Sequence, residues 1–93
     1  MRESAIERKL TTEVKKRGGL APKFVSPGLD GVPDRLVLFY DGRLAFVEVK
    51  APGQKMRPLQ VLRKKQLESL GFRVYCIDRP EQIEGVLNEI QTT

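Results

Sequence analysis

The chain has 93 residues, 17 of them basic and 12 acidic, for a net charge of +5; this is enough for one domain, 1–93, with a small core. It has no histidine and one cysteine, Cys76, which excludes a histidine general base, a Ser-His-Asp triad, an ordinary zinc centre and an internal disulfide. No apolar run approaches about 18 residues and the start MRESAIERKL has no apolar h-region. The sequence therefore predicts a cytoplasmic protein without membrane contact, whose catalysis, if any, falls to carboxylates, lysine and a hard metal.

The chain opens on a predicted helix over Glu3–Arg17, where Ile6, Leu10 and Val14 recur every four residues. Ser4 followed by Glu7 has capping-box spacing, and Gly18-Gly19 supplies the stop. After Pro22, Lys23-Phe24-Val25 reads as a short first strand, and Ser26–Gly31 as a turn-rich loop. Two runs rich in β-branched and aromatic residues follow, Arg35–Tyr40 and Arg43–Val49, on either side of Asp41-Gly42. That pattern predicts an antiparallel hairpin with a tight turn. Leu36-Val37-Leu38-Phe39 runs without alternation, as in a strand covered on both faces.

The hairpin gathers charge at its open end. Alternation places Glu48 and Lys50 on the face of Phe46, with Val47 and Val49 on the other. Pairing about Asp41-Gly42 sets Asp34 roughly opposite Val49. Two carboxylates and an ammonium therefore converge there. Carboxylate oxygens suit Mg²⁺, a hard cation, and the lysine can orient a water or stabilise charge developing on a phosphate. The plainer reading is a turn aspartate and a surface ion pair, which contributes about 0–1 kcal/mol. Against it, both strands are otherwise apolar on both faces.

Downstream, Ala51–Arg57 is a basic loop containing Lys55 and Arg57, and Pro58 suits the first position of a helix running to Leu70 and stopping at Gly71. Leu59, Leu62, Gln66 and Leu70 share one face of it, with Leu67 adjoining. Arg63, Lys64 and Lys65 form a basic cluster. Lys55, Arg57, Arg63 and Lys64 are the candidate phosphate contacts, which the net positive charge favours; a solvated loop and helix face is the alternative. Gln60 reads by chemistry alone as a surface glutamine. Phe72–Ile77 is the last predicted strand, with Cys76 a small buried hydrophobe. Glu81–Ile90 is the final helix, with Ile83, Val86, Leu87 and Ile90 as its packed stripe. The fold class is α/β, ordered α-β-β-β-α-β-α around a mixed four-stranded sheet.

Gly31, Pro33-Asp34, Glu48-Val49-Lys50 and Gln60, taken together, resemble the PD-(D/E)xK nuclease signature in the form carried by virus-type replication–repair nuclease (VRR-Nuc) domains of the small stand-alone phage or prophage type. The resemblance runs from about Glu3 to Ile77. It implies a restriction-endonuclease-like core and a Mg²⁺-dependent endonuclease acting on DNA, with Mn²⁺ also supporting activity and no small-molecule cofactor. It implies Asp34, Glu48 and the backbone carbonyl of Val49 as metal ligands, joined by an acid on the first helix. Glu7 is matched to that acid, with Glu3 competing. Lys50 is implied to position the attacking water or stabilise the transition state, and Gln60 to orient Lys50 or that water. So small a chain has little surface for sequence readout, which argues for structure selection. Small members of the family imply a homodimer cutting branched DNA, a four-way junction first. The alternatives are a flap or nicked-duplex nuclease, a catalytically silent DNA-binding module, or a structural subunit that binds no metal.

Overall fold

The computed structural model describes residues 2–92. Its elements are α1 (Glu3–Lys16), β1 (Arg35–Leu38), β2 (Leu44–Val49), α2 (Pro58–Ser69), β3 (Val74–Ile77) and α3 (Ile83–Thr92). The sheet is ordered β1-β2-β3. β1 and β2 are antiparallel, and β2 and β3 parallel, as the α2 crossover between them requires.

The sheet has three strands, not four. The predicted first strand at Lys23–Val25 is replaced by an irregular segment along the free edge of β1, held by isolated bridges at Leu20↔Leu38 and Lys23↔Arg35. Leu20 and Leu38 exchange backbone bonds of 2.9 and 2.8 Å, and Leu36 N–H reaches the Pro22 carbonyl at 3.1 Å. Pro22 has no N–H to return, so the ladder breaks where a strand would have formed. The element order is accordingly α-β-β-α-β-α.

One face of the sheet carries the main core. Val37, Ala45, Val47, Val49 and Ile77 pack there against Ile6, Leu10 and Val14 of α1 and Ile83, Leu87 and Ile90 of α3. These are the stripes the periodicity predicts. The capping box does not form: α1 starts at Glu3, with Arg2 as its N-cap and no side-chain cap, so Ser4 lies inside the helix. At its other end, Gly18 N–H bonds the Lys15 carbonyl and Gly19 N–H the Val14 carbonyl, at 3.0 and 2.9 Å, a Schellman closure.

The opposite face is thinner. Phe46 sits between the rings of Phe24 and Phe72, with centroids 5.6 and 5.8 Å away. α2 lies on this side, but its leucine stripe faces water: Leu59, Leu62 and Leu70 are 43, 59 and 67 % exposed. Its one buried side chain is Gln60. Cys76, expected inside, is exposed on this face, beside Glu48 in the β2–β3 register.

Because Leu10 is fully buried between α1 and the sheet, Leu10→Ala is expected to cost about 2–5 kcal/mol of folding stability, read as a fall in the urea unfolding midpoint at unchanged slope.

Candidate active site

The hairpin register brings the two acids together. Leu38 pairs with Leu44 and Arg35 with Val47, which sets Asp34 across from Glu48, not from Val49 as the two-residue turn implied. The connection is a three-residue 3₁₀ turn, Tyr40–Gly42, in which Asp41 and Gly42 take φ of +69° and +74°. Left-handed residues there are what the Asp-Gly pair permits; the extra residue moves the pairing by one position.

The pairing is locked reciprocally. Asp34 N–H donates to Glu48 Oε1 at 3.2 Å, and Val49 N–H donates to Asp34 Oδ2 at 3.0 Å. Pro33, just before, is fully buried. Glu48 itself is 2 % exposed, and its second oxygen, Oε2, has two further partners. Gln60 Nε2 donates to it at 2.8 Å, and Lys50 Nζ lies 3.3 Å from it. A buried carboxylate without such partners would be strongly destabilising. Among the described residues no buried side-chain polar atom lacks a hydrogen-bond partner.

Gln60 is held in turn. Arg57 N–H donates to its Oε1 at 2.9 Å, so one side chain caps the first turn of α2 and braces Glu48. The expectation of a surface glutamine gives way to a buried link between helix and strand. Charge at the site is poised. Burial, and next the neighbouring Asp34 carboxylate, push the Glu48 carboxyl above its ordinary range, and Lys50 and the Asp34 N–H only partly offset this. The Cys76 thiol is also pushed up, first by partial shielding from water and then by Glu48, which keeps it protonated and a poor nucleophile.

The donor set fits a hard divalent cation. Two carboxylates already face each other with their orientations fixed by backbone and amide donors, and the desolvated Glu48 would be relieved by positive charge beside it. Glu7 is not brought to this pair. Its Oε2 accepts from Arg35 Nε at 2.8 Å, and Arg35 Nη1 reaches the Ala21 carbonyl at 2.8 Å. Arg35 follows Asp34 in the chain and so turns to the opposite face of the sheet, toward α1, taking Glu7 with it. Glu3 is exposed in the first turn of α1. Among the described residues no group of three or more Asp, Glu, Cys or His side chains could hold a metal ion.

The basic residues divide. Lys55 and Arg57 are exposed on the loop leading into α2. Arg63 is committed to the Asp30 carbonyl at 2.8 Å and to Gln66, and Lys64 pairs with Glu68 at 3.3 Å. Sequence reasoning missed Arg35 and the Asp30–Arg63 brace. Alternation along β1, with Asp34 and Arg35 on opposite faces, is the signal that could have found Arg35.

Since Glu48's folded carboxyl is raised above its unfolded value, its contribution to stability is complete below the unfolded value and is lost as pH rises through the folded one. In metal-free protein, Glu48→Gln is therefore expected to remove a pH-dependent loss of stability. Urea midpoints taken from mildly acid to neutral pH should fall less steeply in the variant than in the wild type.

No family model matches the chain. A curated protein of Acyrthosiphon pisum secondary endosymbiont phage 1, named "Putative nuclease p44", is 51% identical over 78 residues, 84% of this chain and 84% of that protein. A solved structure described as "VRR_NUC domain" superposes with a TM-score of 0.86 at 23% identity, covering 95% of this chain and 97% of that one.

Proposed function

The chain belongs to the virus-type replication–repair nuclease (VRR-Nuc) family, and from that premise we propose that it is a divalent-metal-dependent, structure-selective DNA endonuclease. The observation that carries this reading is Glu48, an almost wholly buried carboxylate braced by Gln60, Lys50 and the Asp34 N–H directly across from a second acid. Stability alone gives no reason to place charge there.

In this reading Asp34, Glu48 and the Val49 carbonyl hold Mg²⁺ or Mn²⁺. When bound, the ion lowers the pKa of a water and offsets charge on the scissile phosphate. The chain's own groups do the rest. Val49 N–H and Gln60 fix the directions of the two carboxylates, so that no reorganisation is needed when substrate arrives. Lys50 Nζ, held beside Glu48, can orient the attacking water and stabilise charge on the phosphate oxygens. Lys55 and Arg57 steer the backbone of the DNA toward the site. Glu7 contributes through Arg35, tying α1 to the strand that follows Asp34.

The substrate we favour is a four-way junction cut by a homodimer, two sites on paired strands. Supporting the dimer is the exposed apolar surface of α2 and the chain after it, where Leu62, Leu70 and Phe72 are 59, 67 and 45 % exposed; patches of this kind mark contact surfaces.

Cleavage is tested on labelled four-way junction, flap, nicked and linear duplex DNA. Paired symmetric cuts in the junction are expected with Mg²⁺ or Mn²⁺ and none with EDTA. Asp34→Ala should abolish cutting, and Lys50→Ala should slow it by about 10²–10³-fold. Cuts confined to flaps or nicks would remove the junction assignment, and binding without cutting in either metal would remove the enzyme. A separate outcome bears on assembly: Leu62→Glu with Leu70→Glu is expected to convert a dimer to a folded monomer in light scattering, and to end paired cutting.

A further inference from the structure

Beside the acidic pair, the loop before β1 and the start of α2 enclose an open hollow of about 420 Å³, lined by Asp30, Gly31, Arg57, Pro58, Leu59 and Gln60. Gln60 belongs to both places. It lines the hollow, and its amide donates to Glu48 at 2.8 Å. The hollow therefore opens one side chain away from the carboxylates.

Its walls are set in advance. Arg63 Nε donates to the Asp30 carbonyl at 2.8 Å, pinning the loop to α2. At Gly31, φ is +80°, and a Cβ would stand 2.9 Å from both Cγ and the carbonyl oxygen of Leu59. Only glycine lets the loop lie this close to the helix. Arg57 contributes its N–H to Gln60. These contacts use backbone atoms of Asp30 and Arg57 and leave both side chains exposed. The lining thus offers one exposed cation, one exposed carboxylate and two apolar faces, those of Pro58 and Leu59.

We propose that this hollow seats one unpaired nucleotide of the DNA, the one flanking the scissile phosphate; the proposal rests on the nuclease reading above. A few hundred Å³ matches a ligand of that size. Pro58 and Leu59 lie against the flat face of the base, as apolar side chains do around bases taken out of a duplex. Arg57 meets the adjoining phosphate. The Asp30 carboxylate accepts from an exocyclic amine on the base edge. A base stacked within intact duplex cannot enter, whereas one at a branch or mismatch is already free of its partner. Selectivity for DNA structure then comes from the hollow, and the chemistry from the acids next to it.

The test is binding without cleavage, by fluorescence anisotropy in EDTA. The probe is labelled branched DNA, with the nucleotide at the branch point intact or replaced by an abasic residue. Removing the base is expected to weaken wild-type binding about tenfold, within the range one stacked base supplies. Asp30→Ala with Leu59→Gln should weaken binding to intact DNA by a similar factor and lose nothing further on the abasic probe. Arg57→Ala should weaken both probes equally, as a phosphate contact does. Asp30→Ala alone, a truncation at an exposed position, carries the same test at smaller amplitude if the double variant fails to fold. Independent, multiplying losses, or no loss in the wild type on base removal, would overturn the proposal. Parallel cleavage assays with Mn²⁺ keep the two readings apart. Coupling that persists in a protein that cuts nothing would leave the hollow as a nucleotide site and refute the nuclease.

Discussion

A carboxylate taken out of water must be given back its partners, and Glu48 is the group around which this small fold meets that requirement. Its oxygens are met by three donors from three parts of the chain: the backbone just before β1, the end of β2 and the first turn of α2. Each donor has been drawn from somewhere else. Gln60 is the clearest case. It is the sole buried side chain of α2, and turning it inward turns Leu59, Leu62 and Leu70 toward solvent. A helix on a thin face of the sheet would ordinarily bury its leucines. Here polar satisfaction decides its rotation, and apolar surface is left exposed as a consequence.

The same requirement fixes the hairpin. A one-residue slip would carry every side chain of a strand to the other face. It would carry Glu48 to the face of Val37 and the α1 stripe, away from the Gln60 amide that now bonds it. The three-residue turn at Tyr40–Gly42 and the reciprocal Asp34–Glu48 and Val49–Asp34 bonds hold the register at both ends. α1 is tied to this strand by a second charge pair, Glu7–Arg35, which also anchors the edge segment through the Ala21 carbonyl. The two faces of β1 thus carry two separate polar anchors, one for the site and one for the scaffold.

Much of this could be read in the sequence. The apolar stripes of α1 and α3, the hairpin, the crossover helix and the convergence of Asp34, Glu48 and Lys50 all follow from periodicity, turn chemistry and alternation. Other features needed three dimensions. Loop length at Asp41-Gly42 differs by one residue between turn types of similar composition, and that one residue shifts the register by one position. The edge segment has strand-like residues, but Pro22 breaks its ladder. The leucines of α2 mark a face without saying whether that face turns in or out; a long-range bond from Gln60 to Glu48 settles it. Cys76 follows the strand alternation, yet the face it occupies is covered only in part, over Phe46, Glu48 and Val74, and leaves the cysteine exposed. Glu7 has the spacing of a helix cap and is matched to a ligand only by resemblance, and its partner, Arg35, lies far away in the chain.

The central claim is that Asp34 and Glu48 form one divalent-metal site. Calorimetric titration of Mn²⁺ into the wild type, Asp34→Asn and Glu48→Gln tests it most directly. The account predicts saturable binding in the wild type, loss of that binding in either variant, and retention in Glu7→Gln, whose carboxylate stands with Arg35 on the other side of the sheet. Equal binding in all four proteins, or no binding in the wild type, would contradict it.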